Sequence, residues 1–460
     1  MDNLKYDVVV IGAGVAGLTT SLKLASHGWR VALVESKPAN KIGDKVCGDA
    51  IGAHHFEEVD IHPPSSVIDH IYNGVKIYSP SREHSITVPG GGVSLNRLAF
   101  GQWLLKQALN NGVELYDQHV LIDVSLKDDY VKTIHVKKVG GGKKYIEAEA
   151  FIDASGYKPA IRSRLPETWP ISERPYTTDY NLAYREVIEV SKEIMKDEDK
   201  DYALIYIDVN IAPGGYWWLF PKNKTGDIIN VGLGVINNGV NNPRLNYERY
   251  LRPLFKGKII HTGGGIVPTR RPLPTLVWRN VIVVGDAAYT VNPVHGGGIG
   301  SSMLSAAIAS RYLSKALEMG FVNENTLWEV NIEFMNKYGA KQAGLDILRM
   351  YMQKLSNEDY EWIMEKKSID GRSVYDLGVQ GNLAERVAHE ISSLIKLLGR
   401  PTLLNELRFV RSYMSKAREL YSSEYPKHPS DLPRWIKRVE ELFTEFIARV
   451  GFNRGSVVKW

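Results

Sequence analysis

The sequence predicts an α/β protein in three parts, and three patterns support that prediction. A buried strand, a glycine-rich turn and an apolar-periodic helix open the chain, and a second strand at residues 30–35 completes a parallel βαβ unit. Residues 180–236 hold four runs of strand-forming residues, which indicate a separate antiparallel sheet. From about residue 300 onward, apolar residues recur at helical spacing, so the last part is predicted to be helical.

Length and composition agree with a folded protein of several domains. The chain has 460 residues, of which 44% are hydrophobic and 24% charged, as is typical of globular proteins. Its net charge of +5 is small for a nucleic-acid-binding protein, so we expect no nucleic-acid partner. The single cysteine, Cys47, cannot form an internal disulfide, which is compatible with a reducing compartment.

The beginning of the chain and its apolar runs bear on location. The second residue is acidic and the chain enters a strand at once, so we expect no signal peptide. No stretch approaches the roughly 18 uninterrupted apolar residues of a membrane span. We therefore expect a cytoplasmic protein, and peripheral contact with a membrane stays open.

The first glycine-rich turn has the full context of a dinucleotide site. It follows a strand and opens a helix, and Glu35 stands at the end of the next strand, 18 residues after the last glycine. The glycines let a pyrophosphate approach the backbone, the helix start supplies amide donors, and Glu35 accepts from ribose hydroxyls. The residues assigned to this contact are Gly12, Gly14, Val15, Ala16, Gly17 and Glu35.

A second glycine-rich segment, residues 281–313, indicates a flavin. A buried strand ends at Asp286, which can accept from a ribityl hydroxyl, and a glycine-rich loop then leads into a helix of small residues. Loop amides and the positive end of the helix near Ile299 favour the negative charge of a reduced flavin. The loop residues assigned to this contact are Pro293, Gly296, Gly298 and Ile299.

The aromatic stretch "PGGYWWLFPK", residues 213–222, predicts a strand with two large apolar faces. Alternation sends Tyr216, Trp218 and Phe220 to one face and Trp217 and Leu219 to the other. One set could line an apolar substrate while the other packs into the sheet, or the faces could be exchanged. A purely structural core is the alternative. Gly232 and Gly234 on a neighbouring strand would leave room for a ligand or another backbone.

These segments together resemble a known family. Three segments resemble those of the FAD-dependent group that includes the aromatic hydroxylases: the first glycine-rich loop, the stretch "DASG" at 153–156, and the stretch "GDAAYTVNPVHGGGIG". Within it, "P-x-x-Y-x-W-x-F-P" at 213–221 and "KVCGDAI" at 45–51 resemble the geranylgeranyl reductase family. The resemblance implies that FAD is contacted by further residues, namely Cys47, Gly48, Ala50, Arg97 and Val120.

The resemblance also implies an architecture and an activity. It implies a Rossmann-like FAD-binding domain, an antiparallel-sheet substrate domain and a C-terminal helical domain. The FAD-binding segments are 1–65, 95–165 and 266–330, the substrate segments are 66–94 and 166–265, and the helical domain is 331–460. The activity is reduction of C=C bonds in geranylgeranyl chains of archaeal-type ether lipids or prenyl diphosphates. The electron donor is either NAD(P)H or a ferredoxin-like carrier.

Alkene reduction needs a proton as well as a hydride, and Cys47 is our candidate catalytic residue. It follows the Glu35 strand in a loop bounded by glycines, and a thiol carries its proton at neutral pH. It could donate this proton, hold a water that does, or shape the pocket. The alternatives are that Cys47 is a small buried apolar residue, or that His54 or His55 donates.

Other features leave alternatives open. Arg270 and Arg271 could meet a phosphate or be a solvated pair, and Lys222 could attract an anionic head group or, as we expect, be a surface charge. Ser94 is a candidate N-cap for the helix that follows it. We assign no metal ligands. The competing functions are a flavin monooxygenase acting on an apolar substrate and a non-catalytic carrier of prenylated cargo.

Overall fold

The computed structural model describes residues 4–191, 194–366, 370–380 and 401–459. Its strands are β1 (Leu4–Ile11), β2 (Val31–Val34), β3 (Ala50–Gly52), β4 (Ile68–Tyr78), β5 (Ser85–Leu95), β6 (Glu114–Tyr116), β7 (His119–Lys127), β8 (Tyr130–Lys138), β9 (Lys143–Asp153), β10 (Tyr180–Val190), β11 (Tyr202–Tyr206), β12 (Tyr216–Pro221), β13 (Ile228–Ile236), β14 (Gly257–Pro268), β15 (Val277–Trp278) and β16 (Val281–Val283).

Helices follow several of these strands and make up most of the last third of the described chain. They are α1 (Val15–Ser26), α2 (His54–Glu58), α3 (Arg97–Asn110), α4 (Pro243–Asn246), α5 (Ile299–Glu318), α6 (Trp328–Phe334), α7 (Ala340–Met352), α8 (Asn357–Glu365), α9 (Gly371–Gln380), α10 (Pro401–Tyr421) and α11 (Leu432–Val450). The π-helical turns Tyr247–Leu251 and Met335–Gly339 continue α4 and α6. No helix among the described residues has the length and apolar character needed to cross a membrane.

The first sheet carries the βαβ unit that the sequence predicts. Its strands run in the order β15-β16-β9-β1-β2-β6, with β8 and β7 attached beyond β9. β1 lies parallel to both β2 and β9, and its valines at 8–10 are fully buried. Parallel strands buried on both faces need such continuous apolar runs. The α/β fold class is confirmed.

The second sheet has the order β14-β10-β13-β12-β11-β4-β5-β3. The predicted strands at 180–236 form its β10–β13 portion, and all neighbours are antiparallel except β11 and β4. β3 pairs with β5 here, although residues 1–65 were assigned to the FAD-binding part. The chain therefore enters this sheet from its N-terminal region as well as from its middle.

One local prediction is wrong, and part of another lies outside the described residues. The helix expected after Ser94 begins at Arg97, and its N-cap is Asn96, whose side chain accepts from the Ala99 N–H. Ser94 is wrong as a cap because it is the buried, sheet-paired end of β5. Of the predicted helical domain 331–460, residues 367–369, 381–400 and 460 lie outside the described residues.

Candidate active site

The first glycine loop leaves open space at the start of α1. Gly14 is the N-cap of α1 and no side chain caps it, so first-turn amides remain available. A Cβ on Gly14 would meet no protein atom within 4 Å. By contrast, a Cβ on Gly12 would lie 2.6 Å from the Ala154 carbonyl oxygen, and one on Gly17 would lie 1.8 Å from the Gly12 carbonyl oxygen. Two glycines thus permit close backbone packing, while the middle one faces open space.

Glu35 is held at the end of β2 by the backbone around it. Its Oε2 accepts from the Ala13 N–H at 2.7 Å, and its Oε1 accepts from the Lys37 N–H at 2.8 Å. Val120 lies next to it, because the preceding His119 N–H donates to the Glu35 carbonyl at 2.8 Å. The carboxylate is therefore fixed beside the first loop, as ribose recognition requires.

Arg97 begins α3, and its Nε is buried without a hydrogen-bond partner. A buried cationic donor without a partner is costly unless a ligand satisfies it. The open space at Gly14 and the uncapped helix start suit a dinucleotide phosphate, and the Arg97 Nε is a further donor available to a ligand. These observations support FAD in this position.

The second glycine loop adjoins the first. Gly285 lies against α1, since a Cβ on it would come within 2.9 Å of the Ala16 Cβ. Gly298 is the N-cap of α5, again without a side-chain cap, and a Cβ there would lie 3.4 Å from Asp286 Oδ1. Asp286 also pairs with Lys45 at 3.2 Å. Both loops therefore border one continuous site in which α1 and α5 begin.

The aromatic strand β12 reaches this second loop. The Tyr216 hydroxyl donates to the His295 carbonyl at 2.6 Å, and a Cβ on Gly296 would lie 4.0 Å from the same hydroxyl. Trp218 and Phe220 share the Tyr216 side and cluster with Tyr72. The predicted alternation is thus confirmed, and the loop-facing side is that of Tyr216.

The other face of β12 belongs to the core of the sheet. Trp217 and Leu219 are buried there, and the Trp217 ring stacks on Tyr206 with centroids 3.8 Å apart. Trp217 and Leu219 therefore pack into the sheet, as in the first of the two predicted arrangements. This face anchors the strand in the sheet.

A row of small residues crosses the sheet beside Tyr216. Tyr216 pairs with Gly234, Gly234 with Ala183, and Ala183 with Gly265, so all four share one face. A Cβ on Gly234 would meet nothing within 4 Å. Gly232 differs, because the Trp218 ring and Arg185 Cβ both lie 2.5 Å from where its Cβ would be. Of the two glycines, Gly234 faces open space and Gly232 accommodates neighbouring side chains.

The Cys47 loop packs over the aromatic face. The Cys47 carbonyl accepts from Asn230 Nδ2 at 2.9 Å and from Arg185 Nε at 3.2 Å. A Cβ on Gly48 would lie 3.1 Å from the Phe220 ring. Burial raises the pKa of Tyr216 above its ordinary value, and the adjacent Cys47 adds to that rise. Cys47 is therefore held near Tyr216, and Ala50 follows as the first residue of β3.

Asn230 and Lys222 lie beside the Cys47 loop, although the sequence predicts neither residue there. Asn230 is fully buried and also accepts from Trp218 Nε1 at 3.0 Å. Lys222 is not a surface charge: its Nζ lies 3.0 Å from Asp49 and 2.9 Å from Asp69, with its side chain 11% exposed. The single Asn in the apolar strand 228–236 was the available signal, because a buried amide needs partners. Both residues bind the Cys47 loop to the aromatic strand.

A cluster of basic side chains lies at the start of α5. His55 packs against Gly300 and contacts Glu58 at 3.3 Å, and its ring centroid is 4.1 Å from that of His54. His295 accepts at Nδ1 from the Gly297 N–H at 3.1 Å, and desolvation lowers its pKa to about 4. It is therefore neutral at physiological pH.

Lys341 on α7 interacts electrostatically with this cluster and gives a pH prediction. Desolvation lowers its pKa to about 8, against a smaller opposing effect of Glu58. The unfolded chain binds this proton more tightly than the folded protein. The free energy of unfolding should therefore rise with pH between the folded pKa of about 8 and the ordinary lysine pKa of 10.5. Lys341→Met should stabilise the protein by on the order of 1 kcal/mol at neutral pH, with the gain shrinking in alkali. Thermal melts of the wild type and the variant across this pH range test the prediction. A stability gain that does not change with pH would contradict it.

Arg270 and Arg271 do not line the site. Both are buried, and Arg270 pairs with Glu173 at 2.6 Å and Asp179 at 3.4 Å. Arg271 lies 3.7 Å from Asp346. The phosphate and solvated-pair interpretations are both wrong, because these arginines form an internal ion network between the sheet and α7.

Comparisons with known proteins agree with this geometry. Residues 7–157 match the FAD dependent oxidoreductases, and residues 179–267 match the geranylgeranyl reductase catalytic domain. The fold and its two glycine loops define an FAD-dependent oxidoreductase, with FAD as its cofactor. The chain belongs, more particularly, to the geranylgeranyl reductase family.

Individual relatives support this assignment. The digeranylgeranylglycerophospholipid reductase of Sulfolobus acidocaldarius is 41% identical over 97% of this chain and 99% of its own length. That of Methanosarcina acetivorans is 30% identical over 71% and 79%, respectively. A geranylgeranyl bacteriochlorophyll reductase-like structure from Thermoplasma acidophilum has a TM-score of 0.74 at 22% identity, covering 85% of this chain and 100% of its own. This last likeness concerns the fold.

Proposed function

We propose that the protein saturates C=C bonds of geranylgeranyl chains in an isoprenoid glycerophospholipid, as a step in making archaeal-type membrane lipids. The observation that carries the proposal is the contact between β12 and the second glycine loop, where Tyr216 donates to the His295 carbonyl at 2.6 Å. An apolar face thereby lies beside the expected flavin. The relatives' names support the lipid as substrate, and a prenyl diphosphate is the alternative.

The apolar face can bind an isoprenoid chain without polar recognition. Trp218 and Phe220 are buried on the same side as Tyr216, and Gly234 leaves open space next to Tyr216. Each Å² of apolar surface that the chain buries contributes roughly 25 cal/mol. Because binding then depends only on the apolar area that is buried, the isoprenoid chain can bind in several positions along its length. This suits a substrate with repeated double bonds.

The reaction adds a hydride to one alkene carbon and a proton to the other. When bound, reduced FAD supplies the hydride. An isolated alkene does not stabilise a carbanion, so proton transfer precedes or accompanies hydride transfer. We assign the proton to Cys47: its S–H bond breaks as the new C–H bond forms, and the thiolate then regains a proton from water. Asn230 and Arg185 hold the loop by its carbonyl, which fixes the thiol near Tyr216.

The Cys47 assignment predicts a slow chemical step in its variants. Cys47→Ala should slow single-turnover oxidation of the reduced enzyme by substrate by about a hundredfold or more, which is typical of a lost proton donor. Cys47→Ser tests whether a hydroxyl can replace the thiol. Both variants should retain FAD, and unchanged rates in both would remove Cys47 as the donor.

The immediate electron donor binds transiently in this proposal. Within the part of the chain that the structure describes, the glycine runs at residues 90–92 and 263–265 lie inside β5 and β14, and the run at 140–142 lies in the β8–β9 hairpin, so none of the three stands between a strand and a helix. They therefore lack the setting of a second dinucleotide site. Steady-state assays with NADH, NADPH and a reduced ferredoxin would identify the donor.

An anaerobic product assay tests the proposed function. The photoreduced enzyme is mixed with digeranylgeranylglycerophospholipid or with geranylgeranyl diphosphate, and the products are analysed by mass spectrometry. We expect flavin reoxidation together with two added hydrogens per reduced double bond. Oxygen insertion in aerated samples would indicate the monooxygenase, and substrate binding without reoxidation would indicate the carrier.

A further inference from the structure

Exposed apolar side chains are concentrated in one stretch of the chain. Of the fifteen large apolar side chains most exposed among the described residues, five lie within the 21 residues 240–260. This stretch is about one twentieth of the sequence. The five are Val240 (84% exposed), Leu245 (60%), Leu254 (48%), Ile259 (39%) and Ile260 (52%). Together with their neighbours in the chain, they are called the 240–260 surface.

These side chains belong to two adjoining elements at one edge of the second sheet. α4 and its π-helical continuation lie over β10, because the Tyr247 hydroxyl donates to Glu186 at 3.1 Å and the Tyr247 and Tyr184 rings lie 5.1 Å apart. β14 pairs with the same strand, with Ile259 opposite Ile188. The helix and the edge strand therefore flank β10 and form one surface.

Basic residues surround the exposed apolar ones. The cations are Arg244, Arg249, Arg252, Lys256 and Lys258. Three acids oppose them: Glu248 pairs with Arg244, buried Glu186 pairs with Arg252, and Glu189 lies opposite Lys258 in the ladder. The surface keeps an excess of two positive charges. Long basic side chains beside apolar ones suit an interface with anionic head groups.

The edge strand itself disfavours a second protein strand as the occupant. Ladder pairing shifts between Val187 and Ile188, so Ile260 is a bulged residue of β14. A bulge together with lysines is a common protection of an edge against strand addition. An anionic bilayer needs neither a straight edge nor matched hydrogen bonds, and it accepts the exposed apolar side chains.

The same strand leads from this surface to the site. His261 contacts Asp44 at 3.3 Å, and a Cβ on Gly263 would lie 2.5 Å from the Val46 side chain, in the loop that carries Cys47. Gly265 then begins the small-residue row that ends at Tyr216. β14 therefore connects the 240–260 surface to the loop that carries Cys47.

We propose that the 240–260 surface docks on an anionic lipid bilayer. This inference rests on the proposed lipid substrate, and it adds the surface by which the enzyme reaches it. Docking brings Leu245 and Ile260 into the interfacial region, with Arg249 and Lys256 among the head groups.

Vesicle flotation tests the proposal. We expect the holoenzyme to float with phosphatidylcholine vesicles that contain phosphatidylglycerol, and much less with phosphatidylcholine alone. Leu245→Ser with Ile260→Ser, and separately Arg249→Glu with Lys256→Glu, should each lower partitioning at least about tenfold. The control is Met319→Ser with Phe321→Ser, which removes side chains that are 61% and 57% exposed at the far end of α5.

Activity separates this proposal from the proposed function. The surface variants should keep their FAD and should reduce detergent-dispersed substrate at the wild-type rate, but should lose about tenfold with substrate in anionic vesicles. Absence of wild-type flotation, or an equal loss in the control, would overturn the docking proposal. So would a concentration-dependent dimer abolished by the same variants. Failure to reduce dispersed substrate would instead contradict the proposed function.

Discussion

Gly14→Leu is expected to give a folded protein that no longer holds FAD. The backbone at Gly14 has φ −72° and ψ −178°, which any residue adopts, and a Cβ there meets no protein atom within 4 Å. A leucine side chain would therefore fold without strain and occupy the space assigned to the pyrophosphate. It would also hide the amides at the start of α1, the main donors to that group.

The expected loss of FAD affinity is at least about a hundredfold, because a displaced pyrophosphate forfeits several charge-assisted hydrogen bonds. The measurements are the flavin absorbance of the purified variant and titration of the apoprotein with FAD, alongside a thermal melt. Gly142→Leu is the matched control, since a Cβ there also meets nothing, but at the β8–β9 hairpin. A yellow Gly14→Leu protein with normal affinity would place the cofactor elsewhere.

Gly234→Leu is expected to block the substrate while leaving the flavin in place. Gly234 pairs with Tyr216, faces the same side of the sheet, and has open space where a side chain would project. A leucine there would fill the volume next to the aromatic face. We expect kcat/KM for the geranylgeranyl lipid to fall at least about a hundredfold, the equivalent of nearly 3 kcal/mol, with FAD content unchanged.

Two glycine variants serve as comparisons for Gly234→Leu. Gly91→Leu also adds a side chain in open space on a strand of the same sheet, β5, and should leave kcat/KM within about threefold. Gly232→Ala should instead lower stability, because its Cβ would lie 2.5 Å from the Trp218 ring. Normal turnover by Gly234→Leu would show that the chain does not occupy this face.

Features that depend on a short run of sequence were predictable. The glycine spacing at residues 12–17 and the position of Glu35 follow from what a strand, a tight turn and a helix require. The alternation that separates Tyr216 from Trp217 follows from strand geometry alone. In each case the local backbone fixes the outcome, so the structure could be anticipated without knowledge of distant contacts.

Features that depend on distant pairing were not predictable in this way. Lys222 meets Asp49 and Asp69 only because β3 and β4, from the N-terminal region, join the sheet of β12. The burial of Arg270 likewise depends on carboxylates 91 and 97 residues away in sequence. Composition gives no sign of such partners, and a lysine or arginine taken alone is ordinarily a surface residue.

The most direct test of the central claim is a crystal structure of the FAD-loaded protein with a saturated digeranylgeranyl-type lipid. We expect an arrangement in which the isoalloxazine lies at the start of α5 and the lipid chain lies between it and the face of Tyr216, Trp218 and Phe220, passing over Gly234. A chain bound on the Trp217 face, or a flavin separated from β12 by other parts of the protein, would contradict it.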